Sequence, residues 1–280
     1  TLGYGEYSLS PFREKIRRLS TLMPANRVGR WAISLLRKLT VAGHQCGTQG
    51  PYDIEVAPGV RARLFPASNL CEKRAFCGVQ NWDSAERAAL TAALRDSQND
   101  PFVFLDVGAN VGLYSLFLWS AAERLGKSAR VIAVEPDPMN RSRLEFNITA
   151  NNASINVEPI AIGNKPGQGT LGGGAKNRGE VRLSDKPAAG GTEVAIETLP
   201  QLFLRHGLTR VDAMKIDIEG HDLEALRCLF SQAPASVWPR LLIVETGDTV
   251  PSPVVSLITA NGYELVASTR LNAILRFTPS

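Results

Sequence analysis

The chain has 280 residues, of which 44% are hydrophobic and 21% are charged, a composition that indicates a globular protein and excludes a disordered or fibrous one. Its net charge of +4 is unevenly distributed, because the first 40 residues carry +6 (eight Lys and Arg against two acids) and the other 240 carry −2. A main domain without excess positive charge argues against an enzyme that holds nucleic acid in a basic groove.

Residues 1–50 are predicted to form a basic arm of two amphipathic helices separated by Pro24. Apolar residues recur at helical spacing on one face of each helix: Phe12, Ile16, Leu19 and Met23 in the first, and Val28, Trp31, Leu35 and Leu39 in the second. We expect both apolar faces to pack on the main domain and the basic faces to lie in solvent. The alternative is an arm that contacts a membrane surface or a partner protein.

Residues 51–100 are expected to lead into the main domain, which spans 101–280. The alternation of YDIEVAPGVRARLF around Pro58 and Gly59 predicts a β-hairpin. A helix is predicted from Asp83, as its N-cap, to Arg95.

From Pro101 onwards, apolar strands alternate with amphipathic helices, which predicts an α/β fold with a mostly parallel sheet and helices on both faces. Strands are predicted near residues 102–106, 131–135, 155–160, 193–197, 212–217 and 240–245. Helices are predicted near residues 112–125, 138–151, 198–206, 220–230 and 252–261. The final segments, YELVAST and NAILRFT, predict an antiparallel hairpin at the sheet edge, with its turn at about 270–272. Nine glycines within 163–191 suit a lid, a small hairpin or a surface loop.

The cysteines and the hydropathy indicate where the protein works. Cys46, Cys71, Cys77 and Cys228 show neither C-x-x-C nor metal-ligand spacing, so we expect reduced thiols, with a Cys71–Cys77 disulfide as the less favoured alternative. No apolar run reaches the ~18 to 20 residues that span a bilayer, and no signal-peptide pattern opens the chain. We therefore predict a cytoplasmic protein, with membrane association through the arm as an alternative.

The segment FLDVGANVGLYS, residues 104–115, ends a buried strand with Asp106 and continues into a loop with Gly108 and Gly112. Glycines at the carboxyl end of a strand tolerate positive φ and let a ligand approach the backbone, so this loop is the expected ligand site. The loop lacks the third glycine of the Gly-x-Gly-x-x-Gly dinucleotide motif.

Glu135 ends the next strand, where a carboxylate can accept hydrogen bonds from both hydroxyls of a ribose. S-adenosylmethionine and NAD both satisfy this requirement. Asp106 separates them, because an acid repels a pyrophosphate and attracts the ammonium of a methionine moiety. The sequence therefore favours S-adenosylmethionine as cofactor.

The segment MKIDIEGHDLEAL, residues 214–226, places several titratable side chains at the end of another strand: Lys215, Asp217, Glu219, His221 and Asp222. Asp222 is expected to cap the following helix, whereas Asp217 is the first choice for a general base, with Glu219 and His221 after it. Glu245 ends the next strand and reaches the same edge. These acids are numerous enough for a divalent cation, but their spacing demands none, and no metal site is predicted.

Four segments together resemble the FkbM family of class I S-adenosylmethionine-dependent methyltransferases: LDVGANVGLYSL, AVEPDPMNRSRLEFNITANN, EPIAIGNKPGQGTL and DAMKIDIEGHDLEALR. The resemblance implies a Rossmann-like, seven-stranded sheet with an antiparallel C-terminal hairpin. It implies that the following residues bind the cofactor: Asp106, Gly108, Ala109, Asn110, Gly112, Tyr114, Ser115, Glu135, Pro136, Ala161 and Asp217. It also implies methylation of a hydroxyl on a small molecule, sugar, glycan or lipid.

Three other functions are weighed against O-methylation. A nucleic-acid methyltransferase is disfavoured by the charge of the main domain and by the lack of an Asn-Pro-Pro-aromatic motif. An NAD-dependent oxidoreductase is disfavoured by Asp106 and the incomplete glycine motif. A non-catalytic S-adenosylmethionine-binding module is disfavoured because Asp106, Glu135 and Asp217 are all present.

Overall fold

The computed structural model describes residues 3–24, 26–47, 50–78, 82–173, 181–184, 191–247 and 251–278, with backbone only at 173 and 181–184. The first part of the chain holds two arm helices, a two-stranded antiparallel sheet and two further helices. Their bounds are α1 Pro11–Ser20, α2 Arg27–Val41, β1 Tyr52–Ala57, β2 Val60–Leu64, α3 Leu70–Phe76 and α4 Ser84–Asp96.

The remainder is the predicted alternation of strands and helices. The strands are β3 Phe102–Val107, β4 Ala129–Val134, β5 Ile155–Glu158, β6 Ala161–Ile162, β7 Gly167–Gly173, β8 Val181–Ser184, β9 Thr192–Glu197, β10 Ala213–Ile216, β11 Leu241–Glu245, β12 Tyr263–Ser268 and β13 Asn272–Phe277. The helices are α5 Leu113–Leu125, α6 Pro138–Asn151, α7 Leu199–Arg205, α8 Asp222–Gln232 and α9 Pro253–Ala260. Most bounds lie within two residues of those predicted.

The main sheet has seven strands in the order β12-β13-β11-β10-β3-β4-β5, and only β13 runs antiparallel to both of its neighbours. This confirms the predicted fold class, a Rossmann-like sheet with an antiparallel C-terminal hairpin. From β3 the chain proceeds outwards through β4 and β5 and then returns to β10 on the other side of β3. The strand order therefore reverses between β3 and β10, which is where open α/β sheets bind their ligands.

One prediction about the sheet is wrong. The segment near 193–197, predicted as a strand of the parallel series, is β9 and belongs to a separate four-stranded sheet of order β6-β9-β7-β8. The strand predicted near 155–160 ends at Glu158, and the following Ala161 and Ile162 pair with β9. Of the glycine-rich segment 163–191, the described parts form the hairpin of β7 and β8, and residues 174–180 and 185–190 lie outside the described residues.

The sheet is buried on both faces because β3 alternates between two apolar layers. Phe102 and Phe104 pack with the first layer, which includes α4, α5 and the β1–β2 hairpin, whereas Val103 and Leu105 pack with the second, which includes α7, α8 and α9. All four side chains are at most 5% exposed. Such continuous apolar strands are typical of a sheet covered by helices on both sides.

Helix caps explain why the crossovers begin where the sequence predicts. Asp137 precedes α6 and its Oδ1 accepts hydrogen bonds from the backbone N–H groups of Met139 and Asn140, at 3.1 and 2.9 Å. Thr198 and Gln201 form a reciprocal capping box at the start of α7. Asp83 does not act as the predicted side-chain cap of α4: it has a φ of 40°, and its Oδ2 accepts a hydrogen bond from the Tyr114 hydroxyl at 2.9 Å.

The expected packing of the arm is also wrong. Most of the predicted apolar residues point outwards: Phe12, Val28 and Trp31 are 72%, 74% and 69% exposed, whereas Met23 is partly buried against the core. The buried side chains of α1 are Arg17 and Ser20 instead. All four cysteines are free, so the alternative Cys71–Cys77 disulfide is absent. Among the described residues, no helix is long and apolar enough to cross a membrane.

Candidate active site

A cavity of about 590 Å³ lies where the strand order reverses, at the carboxyl ends of β3, β4, β10 and β11. Most predicted site residues line it: Asp106, Gly108, Ala109, Asn110, Tyr114, Glu135, Pro136, Ala161, Asp217, Glu219 and His221. Gly112 and Ser115 do not, although both are in the predicted cofactor loop. The volume is in the range of small-molecule binding sites.

The two loop glycines are required by the protein's own packing. Gly108 has a φ of 80°, and a Cβ there would lie 1.9 Å from the carbonyl oxygen of Asp217. Gly112 has a φ of 81°, and its Cβ would lie 2.1 Å from Cδ1 of Leu144. These contacts correct the inference that a ligand explains the glycines, because the neighbouring strand and α6 already exclude a side chain. The case for a ligand depends on the cavity and its polar groups.

We expect Gly108→Ala to lower the thermal unfolding midpoint more than Gly126→Ala. Gly126 has a φ of 64° and no atom within 4 Å of its built Cβ, so alanine there adds only the left-handed strain of about 1–2 kcal/mol. At Gly108 the clash with Asp217 adds an overpacking cost of about 1–3 kcal/mol. Circular dichroism melts of both variants measure the difference, and equal midpoints would contradict the close approach of loop and strand.

Asp106 is 1% exposed, and Ser115 holds one of its carboxylate oxygens. The Oδ2 atom of Asp106 accepts hydrogen bonds from the Ser115 backbone N–H at 3.0 Å and from its hydroxyl at 2.6 Å. Its Oδ1 has no hydrogen-bond partner among the described residues. Burial raises the pKa of Asp106, although the charge of Lys215, its neighbour in the β3–β10 register, opposes the shift. Ser115 thus positions Asp106, and the Oδ1 atom of Asp106 remains available to accept a hydrogen bond from a ligand.

Glu135 follows β4 and lines the same cavity as Asp106. Its Oε2 accepts a hydrogen bond from the backbone N–H of Asn110 at 2.7 Å, and its Oε1 accepts one from that of Asp137 at 2.9 Å. The Asn140 side chain donates a third hydrogen bond to this carboxylate, whose two oxygens have about four acceptor positions between them. The side chain is buried, and burial raises the pKa of Glu135 to about 8. Asn110 is itself held through Oδ1, which accepts a hydrogen bond from Nδ2 of Asn69 at 2.7 Å.

Lys215 and Asp217 form an ion pair at the centre of the cavity wall, with 3.0 Å between Nζ and Oδ2. The lysine side chain is 7% exposed and that of Asp217 is 36% exposed, so the lysine of the pair is buried and the aspartate is accessible from the cavity. Burial lowers the pKa of Lys215, but the charges of Asp217 and Asp106 raise it by more, so the net shift is upward. The ammonium also lies 5.1 Å from the Tyr114 ring centre. Lys215 is therefore a fixed cation between two acids.

The turn between β10 and α8 brings Glu219 and His221 to the cavity, whereas Asp222 caps the helix behind it. Glu219 has a φ of 55°, an uncommon conformation for a residue with a side chain. Asp222 accepts hydrogen bonds from the backbone N–H groups of Ile218 and Gly220 at 3.2 and 3.3 Å, as expected of a cap. Glu219, His221 and Glu245 are half-buried and line the cavity.

Several residues that line the cavity were not predicted from the sequence: Leu70, Cys71, Arg74, Trp82, Asp83, Asn140, Ile160 and Arg270. Those between 70 and 83 come from α3 and the segment before α4, and short helices such as α3 leave little periodicity to detect. Arg270 lies in the turn of the C-terminal hairpin, and only its charge could have indicated from the sequence that it lines the cavity. Burial raises the pKa of Cys71 to about 12, so this thiol stays protonated and is not a nucleophile.

The described residues contain no group of three or more His, Cys, Asp or Glu side chains placed to hold a metal ion. The acids of this edge are instead distributed around the cavity. Asp106 is held by Ser115 and Asp222 by its own turn, while Asp217 is paired with Lys215. Their hydrogen bonds and ion pair explain their positions without a shared cation.

Sequence comparison identifies the class of protein that this sheet and cavity define. Residues 106–265, more than half of the chain, match the methyltransferase FkbM domain. The chain therefore belongs to the FkbM family of S-adenosylmethionine-dependent methyltransferases, and S-adenosylmethionine is its cofactor. This decides between the two nucleosides considered above in favour of S-adenosylmethionine over NAD.

Two curated relatives are similar to the chain. It is 27% identical to the methyltransferase sdnD of Sordaria araneosa, over 60% of this chain and 75% of that protein. It is 29% identical to the AMB antimetabolite synthetase AmbE of Pseudomonas aeruginosa, over 63% of this chain and 10% of that protein. Among solved structures, an S-adenosylmethionine-dependent methyltransferase from Agrobacterium tumefaciens is 12% identical with a TM-score of 0.47, covering 81% of this chain and 70% of that one.

The cavity residues fit this cofactor. The buried and unpaired Oδ1 of Asp106 can accept a hydrogen bond from an ammonium, and ionised donors make the strongest hydrogen bonds with carboxylates. The Glu135 carboxylate accepts three hydrogen bonds from the protein and retains acceptor capacity for a ribose hydroxyl. Ile160, Ala161 and Ile162 are buried apolar residues that line the same cavity and suit an adenine face.

Proposed function

We propose that the chain catalyses O-methylation of a hydroxyl on a small molecule, sugar, glycan or lipid. The observation that carries the proposal is the Lys215–Asp217 pair, which holds one ionised carboxylate at the open side of the cavity. A hydroxyl must lose its proton as its oxygen is methylated, and a carboxylate in hydrogen-bonding reach can take that proton. Asp217 is the proposed base, and Glu219 and His221 are the further catalytic candidates on the same turn.

S-adenosylmethionine supplies an electrophilic methyl group on a sulfonium. The chain's residues hold it in place: we assign the ammonium to Asp106, the ribose to Glu135 and the adenine to the surface near Pro136 and Ala161. Gly108, Ala109 and Asn110 form the floor of the site. Tyr114 also lines it, with its hydroxyl bound to Asp83. Gly112 and Ser115 support the site without lining it: Gly112 packs on Leu144, and Ser115 donates hydrogen bonds to Asp106.

The acids on the acceptor side favour an alcohol over an amine. Asp217, Glu219 and Glu245 line this part of the cavity with negative charge. Nearby carboxylates raise the pKa of an amine and keep it as an ammonium, which has no lone pair to attack the methyl group. An alcohol is neutral in the same surroundings and needs only a proton acceptor. The wall of carboxylates therefore suits a hydroxyl substrate.

Product analysis tests this proposal. The protein is incubated with S-adenosylmethionine that carries a deuterated methyl group and a polar and lipid extract, and mass spectrometry follows metabolites that gain the label. We expect labelled methyl ethers, and Asp217→Asn as a control should give almost none. Labelled N-methyl products, or label in RNA, would contradict O-methylation while leaving the cofactor assignment intact. Binding of the cofactor without any labelled product in extracts of the source organism would favour the non-catalytic alternative.

Adenosine affinity is expected to depend on pH through Glu135. Burial raises its pKa to about 8, and loss of the proton frees an acceptor position for a ribose hydroxyl beside the three hydrogen bonds that the protein makes. Below pH 8, binding must first remove a proton, so affinity should fall by up to about tenfold per pH unit. Calorimetry at pH 6 to 9 measures this, and buffers of different ionisation enthalpy report the released proton. A constant affinity over this range would contradict the assignment of the ribose.

The same pKa shift has the opposite effect on folding stability. The folded protein keeps the Glu135 proton up to about pH 8, whereas the unfolded chain releases it near pH 4.5. Stability from this group is therefore complete below pH 4.5 and is lost as the pH rises to about 8. Ligand affinity and folding stability thus change in opposite directions with pH, which separates a local titration of Glu135 from partial unfolding.

A further inference from the structure

The arm presents an apolar stripe to solvent. We define the outer stripe as Phe12 and Leu19 of α1 together with Val28, Trp31, Leu35 and Leu39 of α2, all exposed. Of the 13 large apolar side chains that are exposed among the described residues, seven lie within 12–39. Such a concentration of exposed large apolar side chains in one part of the chain is typical of a binding site rather than of ordinary protein surface.

Polar anchors prevent α1 from turning its part of the outer stripe inwards. Arg17 is 5% exposed and donates hydrogen bonds to the carbonyl oxygens of Phe76 and Glu55, at 3.4 and 3.2 Å. The Ser20 hydroxyl donates to the carbonyl oxygen of Cys77 at 2.6 Å. Rotation of the helix would break these hydrogen bonds and leave the buried guanidinium without them, which is costly. The outward orientation is therefore built into the fold.

The orientation of α2 is fixed by close packing. Gly29 lies on its buried side, where a Cβ would be 1.8 Å from the carbonyl oxygen of Pro24. Ile33 and Val41, also buried, attach the same helix to the main core. Trp31 and Leu35 lie two residues from these positions and consequently project away from the core.

Cations border the outer stripe. Lys15 is three residues after Phe12 and four before Leu19, so it lies beside both on α1. Arg27 precedes Trp31 by four residues and Lys38 follows it by seven, which places both along the same side of α2. All three cations are exposed, and none has an ion pair within 4.0 Å in the part of the chain that the structure describes.

We propose that the outer stripe and its cations bind the surface of an anionic phospholipid membrane. Amphipathic helices with aromatic and aliphatic residues on one face and Lys and Arg beside them lie in the membrane interface, with apolar side chains among the acyl chains and cations at the phosphates. A second copy of the chain fits less well, because the first 40 residues carry +6 and two such arms repel each other.

A second cavity, of about 450 Å³, lies beside the C-terminal half of α2 and strengthens the case for phosphate. Arg37, Lys38 and Lys73 line it, and none of its lining residues is acidic. The structure shows no ion pair of Arg37 or Lys73 with any described residue. Val41 and Phe76 provide apolar walls. This combination suits a phosphate group bound on the face of α2 opposite the outer stripe, because Arg37 and Val41 lie two residues from the stripe residues Leu35 and Leu39.

Co-sedimentation with vesicles tests the proposal on the full chain. We expect binding to phosphatidylcholine vesicles that contain phosphatidylserine, little binding to pure phosphatidylcholine, and release at high salt. Trp31→Ser combined with Leu35→Ser should lower the bound fraction about tenfold, because the cations alone hold weakly. The matched control is Leu204→Ser, which removes an 82% exposed leucine from α7 outside the arm and should bind as the parent does.

Two results would overturn the membrane assignment. The first is equal sedimentation of the parent and the Trp31→Ser, Leu35→Ser variant with unchanged melting curves. The second is a molecular mass twice that of the monomer that returns to the monomer in this variant, which would make a second copy the occupant. The cavity has its own test: Arg37→Ala with Lys73→Ala should weaken binding to anionic vesicles, and unaltered binding would exclude a headgroup there.

Discussion

Glu135→Ala is expected to weaken S-adenosylmethionine binding by about a hundredfold or more. Hydrogen bonds to a charged group contribute about 1.5–3 kcal/mol each, and each 1.4 kcal/mol is about a tenfold change in affinity. The substitution removes the proposed ribose acceptor and also releases the backbone N–H groups of Asn110 and Asp137 and the side chain of Asn140. Isothermal titration calorimetry with S-adenosylmethionine and with its product S-adenosylhomocysteine measures the loss.

A ligand-side comparison separates ribose recognition from a disturbed loop. The parent should bind 2′-deoxyadenosine more weakly than adenosine, whereas Glu135→Ala should bind both with similar affinity, because the acceptor of the missing hydroxyl is gone. Such a cycle isolates the pairwise interaction. If Glu135→Ala lowered both affinities but kept their ratio, the role of Glu135 would be to hold Asn110 and Asp137, and the ribose would lie elsewhere.

The matched protein control is Glu158→Ala. Glu158 ends the neighbouring strand β5, and its carboxylate pairs with Arg205 and His206 at 2.8 and 2.7 Å, away from the cavity. Its loss removes one acid from the same sheet edge without removing a cavity residue. Cofactor affinity should remain within about twofold of the parent, since the Glu158 side chain does not line the cavity.

Elements with a local signal were predicted well. The segment 138–151 is predicted as a helix and is observed with those bounds, because Asp137 and Pro138 begin it and Asn152, with a φ of 52°, ends it. The C-terminal hairpin is also where the alternation of YELVAST and NAILRFT predicts it. Caps, turns and periodicity act over a few residues, so one sequence is enough to detect them.

Non-local pairings were not predicted. The alternation of β9 is typical of a strand, but nothing in those residues indicates that Ile196 pairs with Ala161 and Gly167 in a second sheet. The arm shows the same limit. Helical spacing identifies the apolar face of α2 correctly, but periodicity does not reveal whether a core or another surface covers it. The interior contacts of Gly29 and Ile33 turn that face outwards, and Gly29 gives no apolar signal.

The sequence predicted which residues lie together at the strand ends, but it did not predict the contacts that these residues make. Asp106, Glu135 and Asp217 meet because β3, β4 and β10 are adjacent and parallel, which the strand order requires. The different roles of the loop residues depend on three-dimensional contacts, which the sequence does not reveal. Ser115 points back to Asp106, and Gly112 is confined by Leu144. Asp83 reaches Tyr114 from a part of the chain that the sequence separates by 31 residues.

Lys215 links the cofactor side of the cavity to the acceptor side. It is in register with Asp106 on β3, whose pKa burial raises and the lysine charge lowers, and it forms an ion pair with Asp217. In the proposed mechanism Asp106 holds the ammonium of the cofactor and Asp217 takes the proton of the acceptor, so the same lysine contacts one residue from each function. The ion pair also restrains Asp217, and a fixed base is what an in-line displacement requires.

Asp217→Asn is expected to lower the rate of methyl transfer by about 10²–10⁴-fold, the usual contribution of a general base, while S-adenosylhomocysteine affinity stays within about threefold. Asparagine keeps an oxygen for Lys215 but accepts no proton. Single-turnover rates with the labelled acceptor measure the effect, and Glu224→Gln, an exposed acid on α8, is the control. Acceptors with more acidic hydroxyls should lose less, because they need the base less. An equal loss with every acceptor would leave Asp217 a positioning role and make Glu219 or His221 the base.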